Sequence, residues 1–174
     1  MSETKQKDEA KMEQTKRDKP MSILPRSLFT GFIGGLIWST FGVIMYYFNF
    51  SEVAPKTFVL RSWLKAGWTN SWLGEIVSVL LLGLLSILTA FVYYGLFKKA
   101  NSLWFAAGFG VVLWAIIFYV LQPIFGNVPP VADLNRDTIV STICLFILYG
   151  TFIGYSISYD YHDTIVKEQR KSKE

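Results

Sequence analysis

Four long stretches without a single charged side chain constrain this chain more than any other feature. They cover residues 28–50, 76–97, 103–125 and 138–159. As a helix rising about 1.5 Å per residue, each is long enough to cross a hydrocarbon core about 30 Å thick. Inside a bilayer no water is available to backbone N–H and C=O groups, so an apolar run of this length crosses as a helix that satisfies its own hydrogen bonds. The expected fold class is therefore an all-α membrane protein with four transmembrane helices in an up-down bundle. Composition agrees: 52% of the residues are hydrophobic, 17% are charged, and mean hydropathy is +0.34.

The charged residues lie between and beyond these runs, and their distribution predicts a threading. Thirteen Lys and Arg fall on the side of the two termini and the 98–102 turn, against four (Lys56, Arg61, Lys65 and Arg136) on the other. By the positive-inside rule both termini are cytoplasmic, in a multi-pass protein of the cell membrane. Flanking positions also account for the net charge of +4. No basic face or recognised nucleic-acid fold accompanies it, so no nucleic-acid partner is expected. Residues 1–27 mix both charge signs without an apolar face and are expected to form a disordered cytoplasmic tail. The transmembrane domain then covers 28–159, and 160–174 form a cytoplasmic C-terminal tail. The first apolar run begins too late and is too long for a cleaved leader, so it reads as a retained span. The short turn at 98–102 predicts that the second and third spans are antiparallel neighbours, and Asp137 is a candidate N-cap for the fourth.

Two spans carry stripes of small residues at four-residue spacing. Gly31, Gly35 and Ser39 form one near the start of the chain, and Gly150, Gly154 and Ser158 form the other near its end. Lipid tails are as apolar as leucine, so membrane helices associate through close backbone approach along such stripes. On antiparallel helices the two stripes are placed to meet along their length. Contact within the chain is the expected use; homo-oligomer contact or contact with other membrane proteins is the alternative. A weaker small-residue face (Ser78, Leu82, Ser86, Ala90) lies on the second span.

The first outer loop, residues 51–75, holds Trp63, Trp68 and Trp72. Amphipathic indole rings suit the headgroup zone, so these three are expected to be interfacial aromatics. Leu60, Leu64, Trp68 and Trp72 are spaced by four, so the loop, if helical, lies along the outer interface with its rings in that zone.

Little in the chain suggests chemistry. No ionisable residue lies within a span, whereas ion and proton pathways usually need one there. Glu75, at the outer end of the second span, reads as a carboxylate favoured by the positive end of its helix. His162 is the single histidine and Cys144 the single cysteine. With Asp160 and Asp163, His162 offers one nitrogen and two carboxylates, which do not make a closed metal site. Walker, HExxH and GxSxG motifs are absent. No catalytic, cofactor-binding or metal residues are therefore assigned, no cofactor is expected, and the lipid bilayer is the expected surrounding.

The strings GFIGGLIW in the first span, FGVVLWAIIFYVLQPIF in the third and ICLFILYGTFIGYSISYDY in the fourth resemble the YqhR family of conserved bacterial membrane proteins. The resemblance runs from Arg26 to Tyr161 and omits both charged tails. It implies a bacterial cytoplasmic membrane, and it implies no activity and no site residues, the family being uncharacterised. The leading expectation is a non-enzymatic scaffold or accessory subunit acting through helix–helix contacts. The alternative is a small oligomeric transporter or channel, with Gln122, Asn49 and hydroxyl side chains along a path.

Overall fold

A computed structural model describes residues 23–64, 66–97 and 102–171, with side chains described between 25 and 162. Of the tail 1–27 expected to be disordered, residues 1–22 lie outside these residues, as do Lys65 and residues 98–101 of the short turn, while residues 23–27 are helical and form the start of the first helix. Among the described residues four helices are long and apolar enough to cross a bilayer: Pro25–Tyr47, Trp72–Phe97, Leu103–Ile124 and Arg136–His162. The protein is an all-helical membrane protein.

Helix α1 covers Ile23–Tyr47 and α2 covers Trp72–Phe97. Helix α3 covers Leu103–Ala115 and continues as a π-helical turn, Ile116–Leu121, and a tight 3₁₀ turn, Gln122–Ile124. Pro123 has no N–H to donate to the preceding turn, and its ring crowds the carbonyl four residues back. The widened π turn ahead of it accommodates that defect, and Phe125 N–H donates to Gln122 O to end the element. Helix α4 covers Arg136–Lys171, running on beyond the apolar stretch that ends at 159.

The bundle is organised by small residues, though not in the pairing that the two stripes suggest. Helix α1 lies along α2, α3 lies along α4, and α4 returns along α1. A methyl group on Gly35 would strike Ser86 Cβ and stand 2.9 Å from Gly83 Cα, and one on Gly31 would strike Ala90. The first stripe thus faces α2, on the weaker small-residue face of that helix. A methyl group on Gly150 would stand 2.6 Å from Gly110 Cα and 2.7 Å from Ala106 O. One on Gly154 would strike Ala106 Cβ and reach to 2.7 Å from the Tyr93 hydroxyl. The second stripe therefore faces α3 and the end of α2. The two stripes do not meet, because each is matched by small residues on a different neighbour. Helices α1 and α4 instead meet at Gly34, where an added methyl group would lie 2.9 Å from the Phe152 ring and 3.0 Å from Ile153 Cδ1.

Helices α2 and α3 also depart from expectation. They touch near the short turn, where Phe109 packs edge-on against Tyr93 (centroids 5.0 Å apart) and against Phe97 (6.0 Å). Beyond those rings they separate, so a short connection has not made them neighbours along their length. Arg26 pairs with Asp160 at 3.2 Å, which places the start of α1 and the part of α4 near Asp160 at one end of the bundle, here the terminal end. The segment between α1 and α2 lies at the opposite, loop end. It is not one interfacial helix. A π turn at Thr57–Arg61 and a 3₁₀ turn at Gly67–Asn70 break it, and α2 begins at Trp72.

Candidate functional site

The separation of α2 from α3 leaves a cavity of about 980 Å³ in the middle and loop-end half of the bundle. Leu81, Leu85, Leu88 and Val92 line it from α2, and Val112, Ile116, Ile117 and Leu121 from α3. Trp38 and Gly42 of α1 and Leu145 and Tyr149 of α4 form the back wall, and Pro55, Phe58 and Trp63 roof it at the loop end. Leu85, Leu88, Val112 and Ile116 line the cavity and are also exposed on the outside of the bundle. The cavity therefore opens sideways, between α2 and α3, at the depth of the hydrocarbon core.

Among the described residues that line it there is no Asp, Glu, Lys, Arg or His. The hydroxyl groups on its walls are engaged within the protein. Ser86 Oγ donates to Gly31 O at 2.6 Å and meets the Tyr149 hydroxyl, joining α2 to α1 and α4 at one point. Ser39 Oγ donates to Gly35 O, and Thr142 Oγ1 donates to Thr138 O while accepting from Trp114 Nε1. Ser51 Oγ donates to Val53 O. With these hydroxyls turned inward, the wall presents methyl, methylene and ring carbon, apart from Trp38 Nε1 on the back wall, a buried donor with no hydrogen-bond partner among the described residues. Such a surface gains free energy by covering other apolar groups and offers little to a polar solute.

The loop end is built by ionic and capping contacts rather than by apolar packing alone. Lys56 Nζ lies 2.7 Å from Glu75 Oε1, and both side chains are about nine-tenths buried, at 10% and 9% exposure. Lys56 Nζ also stands 5.8 Å from the centre of the Tyr46 ring. The Glu75 carboxylate thus has a specific partner, beyond the favourable end of its own helix. At the start of α4, Asp137 is not the cap. The helix begins at Arg136, Asn135 stands before it, and Ile139 N–H donates to Asn135 O. The carboxylate serving this end comes from Glu52: its Oε2 accepts from Asn135 N–H at 3.3 Å and its other oxygen takes Asn135 Nδ2. Glu52 N–H in turn donates to Thr138 Oγ1 at 2.9 Å. This is the reciprocal logic of a capping box, supplied from a distant segment.

A family model described as "Conserved membrane protein YqhR" matches residues 6–172. The chain belongs to the YqhR family. The match reaches into both charged tails, further than the apolar strings alone suggest. The chain is 40% identical over 162 residues to a protein of Bacillus subtilis (strain 168), "Uncharacterized protein YqhR", covering 92% of this chain and 90% of that protein. No solved structure matches it.

The sequence-derived residues fall at three different places. Gly31 and Gly35 are buried between α1 and α2, Ser39 lies at the back of the cavity, and Gly150, Gly154 and Ser158 are buried on α4. Trp63, Trp68 and Trp72 are exposed at the loop end, and Trp63 also edges the cavity. Gln122 and Asn49 do not line a common path. Gln122 Nε2 donates to Val128 O, while Asn49 borders a small polar pocket with Glu52 and Asn135. The cavity itself was hidden from sequence reasoning, because Leu, Ile and Val on α2 and α3 have the same composition whether they face lipid, a neighbouring helix or a void.

Proposed function

We propose that this protein is a non-enzymatic component of the cell membrane, with both termini cytoplasmic, whose working surface is the lateral cleft between α2 and α3. The observation that carries this reading is the cleft itself: about 980 Å³, apolar, free of ionisable side chains among the described residues and open sideways. An accessory or scaffold role follows from a site that accepts an apolar group from within the bilayer and does no chemistry on it. Contact through the small-residue stripes has less support as that role. Gly31, Gly35, Gly150 and Gly154 are already covered by their own chain. A transporter or channel also has less support, since Gln122 is bonded to Val128 O and the cleft walls are apolar.

Purified protein reconstituted in liposomes tests the choice. Solute and ion flux should match that of empty vesicles, while a photoreactive side chain at Leu88 or Val112 should capture membrane constituents. Flux well above empty vesicles would overturn the reading.

A further inference from the structure

We infer that the cleft between α2 and α3 holds an acyl chain of a membrane glycerophospholipid, with the phosphate at the loop end beside Arg61. This rests on the reading of the cleft as a lateral apolar site and adds the identity of its occupant.

Three features select a lipid chain over a helix of another protein. First, a transmembrane helix is a cylinder about 10 Å across and about 30 Å long, roughly twice or more the volume of the cleft. Second, helices approach one another in lipid through small residues, whereas the rims here are Leu85, Leu88, Val112 and Ile116. Gly31, Gly35, Gly110, Gly150 and Gly154 are turned to the inside of the bundle, and the two open glycines of these helices, Gly95 and Gly108, do not line the cleft. Third, flexible branched side chains around an irregular volume suit a slender chain that can bend to fill it. An opening at hydrocarbon depth also puts the cleft in direct contact with a phase made of such chains.

The polarity of the cleft sets the direction of the lipid. Its terminal end is closed by the packed rings of Tyr93, Phe97 and Phe109. Its other end is roofed by the turn that carries Phe58, Val59 and Trp63. Arg61 lies on that turn and is exposed, and its carbonyl accepts from Asn127 Nδ2, which fastens the turn to the segment after α3. A guanidinium forks two N–H groups toward a phosphate, and an indole such as Trp63 suits the headgroup boundary. A chain entering through the lateral opening with its headgroup toward the loop end therefore leaves its phosphate next to a cation and its methyl end against the aromatic floor.

Native mass spectrometry of protein extracted in mild detergent provides the test. The wild-type protein should retain one glycerophospholipid at near-stoichiometric level. Ile116→Trp and Leu85→Trp fill the cleft and should lower retention severalfold. Leu80→Trp and Val140→Trp, at exposed positions that do not line the cleft, should leave it unchanged. Arg61→Gln should lower retention without altering the thermal midpoint, which separates loss of the phosphate contact from loss of the fold. Equal retention in cleft-filling and outward variants would overturn the inference, as would a retained isoprenoid or peptide in place of a phospholipid. Either result would leave the lateral-site reading standing if photocapture at Leu88 and Val112 persists; flux in liposomes would remove that reading instead.

Discussion

Lys56 and Glu75 form an ion pair of 2.7 Å that joins the segment between α1 and α2 to the first turn of α2, with both side chains nearly buried. Taking two charges out of water is costly. The arrangement is stable only while each has the other, and the Tyr46 ring adds a further contact to the ammonium. Glu75→Gln or Lys56→Met should each destabilise the protein by about 3–5 kcal/mol, because the surviving charge is left buried alone. Lys56→Met combined with Glu75→Leu should recover most of that loss. Thermal unfolding in detergent, followed by tryptophan fluorescence, measures both. By contrast, Arg26 is 56% exposed in its pair with Asp160, so removing that pair should cost no more than about 1 kcal/mol.

Glycine substitutions should separate sharply by position. A methyl group on Gly110 would run into the carbonyl of Phe146, while Gly108, two residues earlier on α3, has nothing within 4 Å. Gly110→Ala and Gly150→Ala should therefore lower stability by about 1–3 kcal/mol through overpacking. Gly108→Ala and Gly95→Ala should be neutral or slightly stabilising. Gly150→Leu and Gly154→Leu should reduce expression and raise thermal aggregation. Unchanged expression, aggregation and oligomer size would mean that this stripe is not a packing seam.

The cap of α4 offers a second contrast. Glu52→Ala and Thr138→Val remove opposite halves of one reciprocal contact. Each should cost about 0.5–2 kcal/mol. Their combined effect should fall short of the sum, since they act on the same helix end. Asp137→Ala should change stability much less, as Asp137 is not the capping residue. Denaturant midpoints of the three single variants and the double variant decide it.

Threading can be read directly in a bacterial host. A green fluorescent protein fused to the C-terminus should fluoresce, and alkaline phosphatase fused after Gly67 should be active. The reverse pattern at either site would reject the arrangement with both termini cytoplasmic.

The chain announces its spans because length and hydropathy are local properties, read within about 20 residues. The apolar stretches at 76–97 and 103–125 correspond closely to α2 and to α3 with its terminal turns. Pro123 is local in the same sense, since a missing N–H and a crowding ring suffice to make the end of α3 irregular. The loop was harder to read. Four-residue spacing from Leu60 to Trp72 imitates a helix, but the backbone turns at Thr57–Arg61 and again at Gly67–Asn70. Lys56 with Glu75 and Glu52 with Asn135 carry no spacing signal, since they pair across the fold and not along a helix face.

By itself, then, the sequence determined an all-helical membrane protein with four apolar spans and two glycine stripes. Tertiary structure decided which neighbour each stripe meets. Gly35 lies against Gly83 and Ser86, and Gly150 lies against Ala106 and Gly110. Backbone approach depends on the volumes of both partners at the point of contact, and one helix alone carries only half of that information. The same reasoning applies to the cleft. Leu85 and Ile116 would read identically on any lipid-facing helix, and they line a cavity because the glycine contacts draw α2 toward α1 and α3 toward α4, leaving space between.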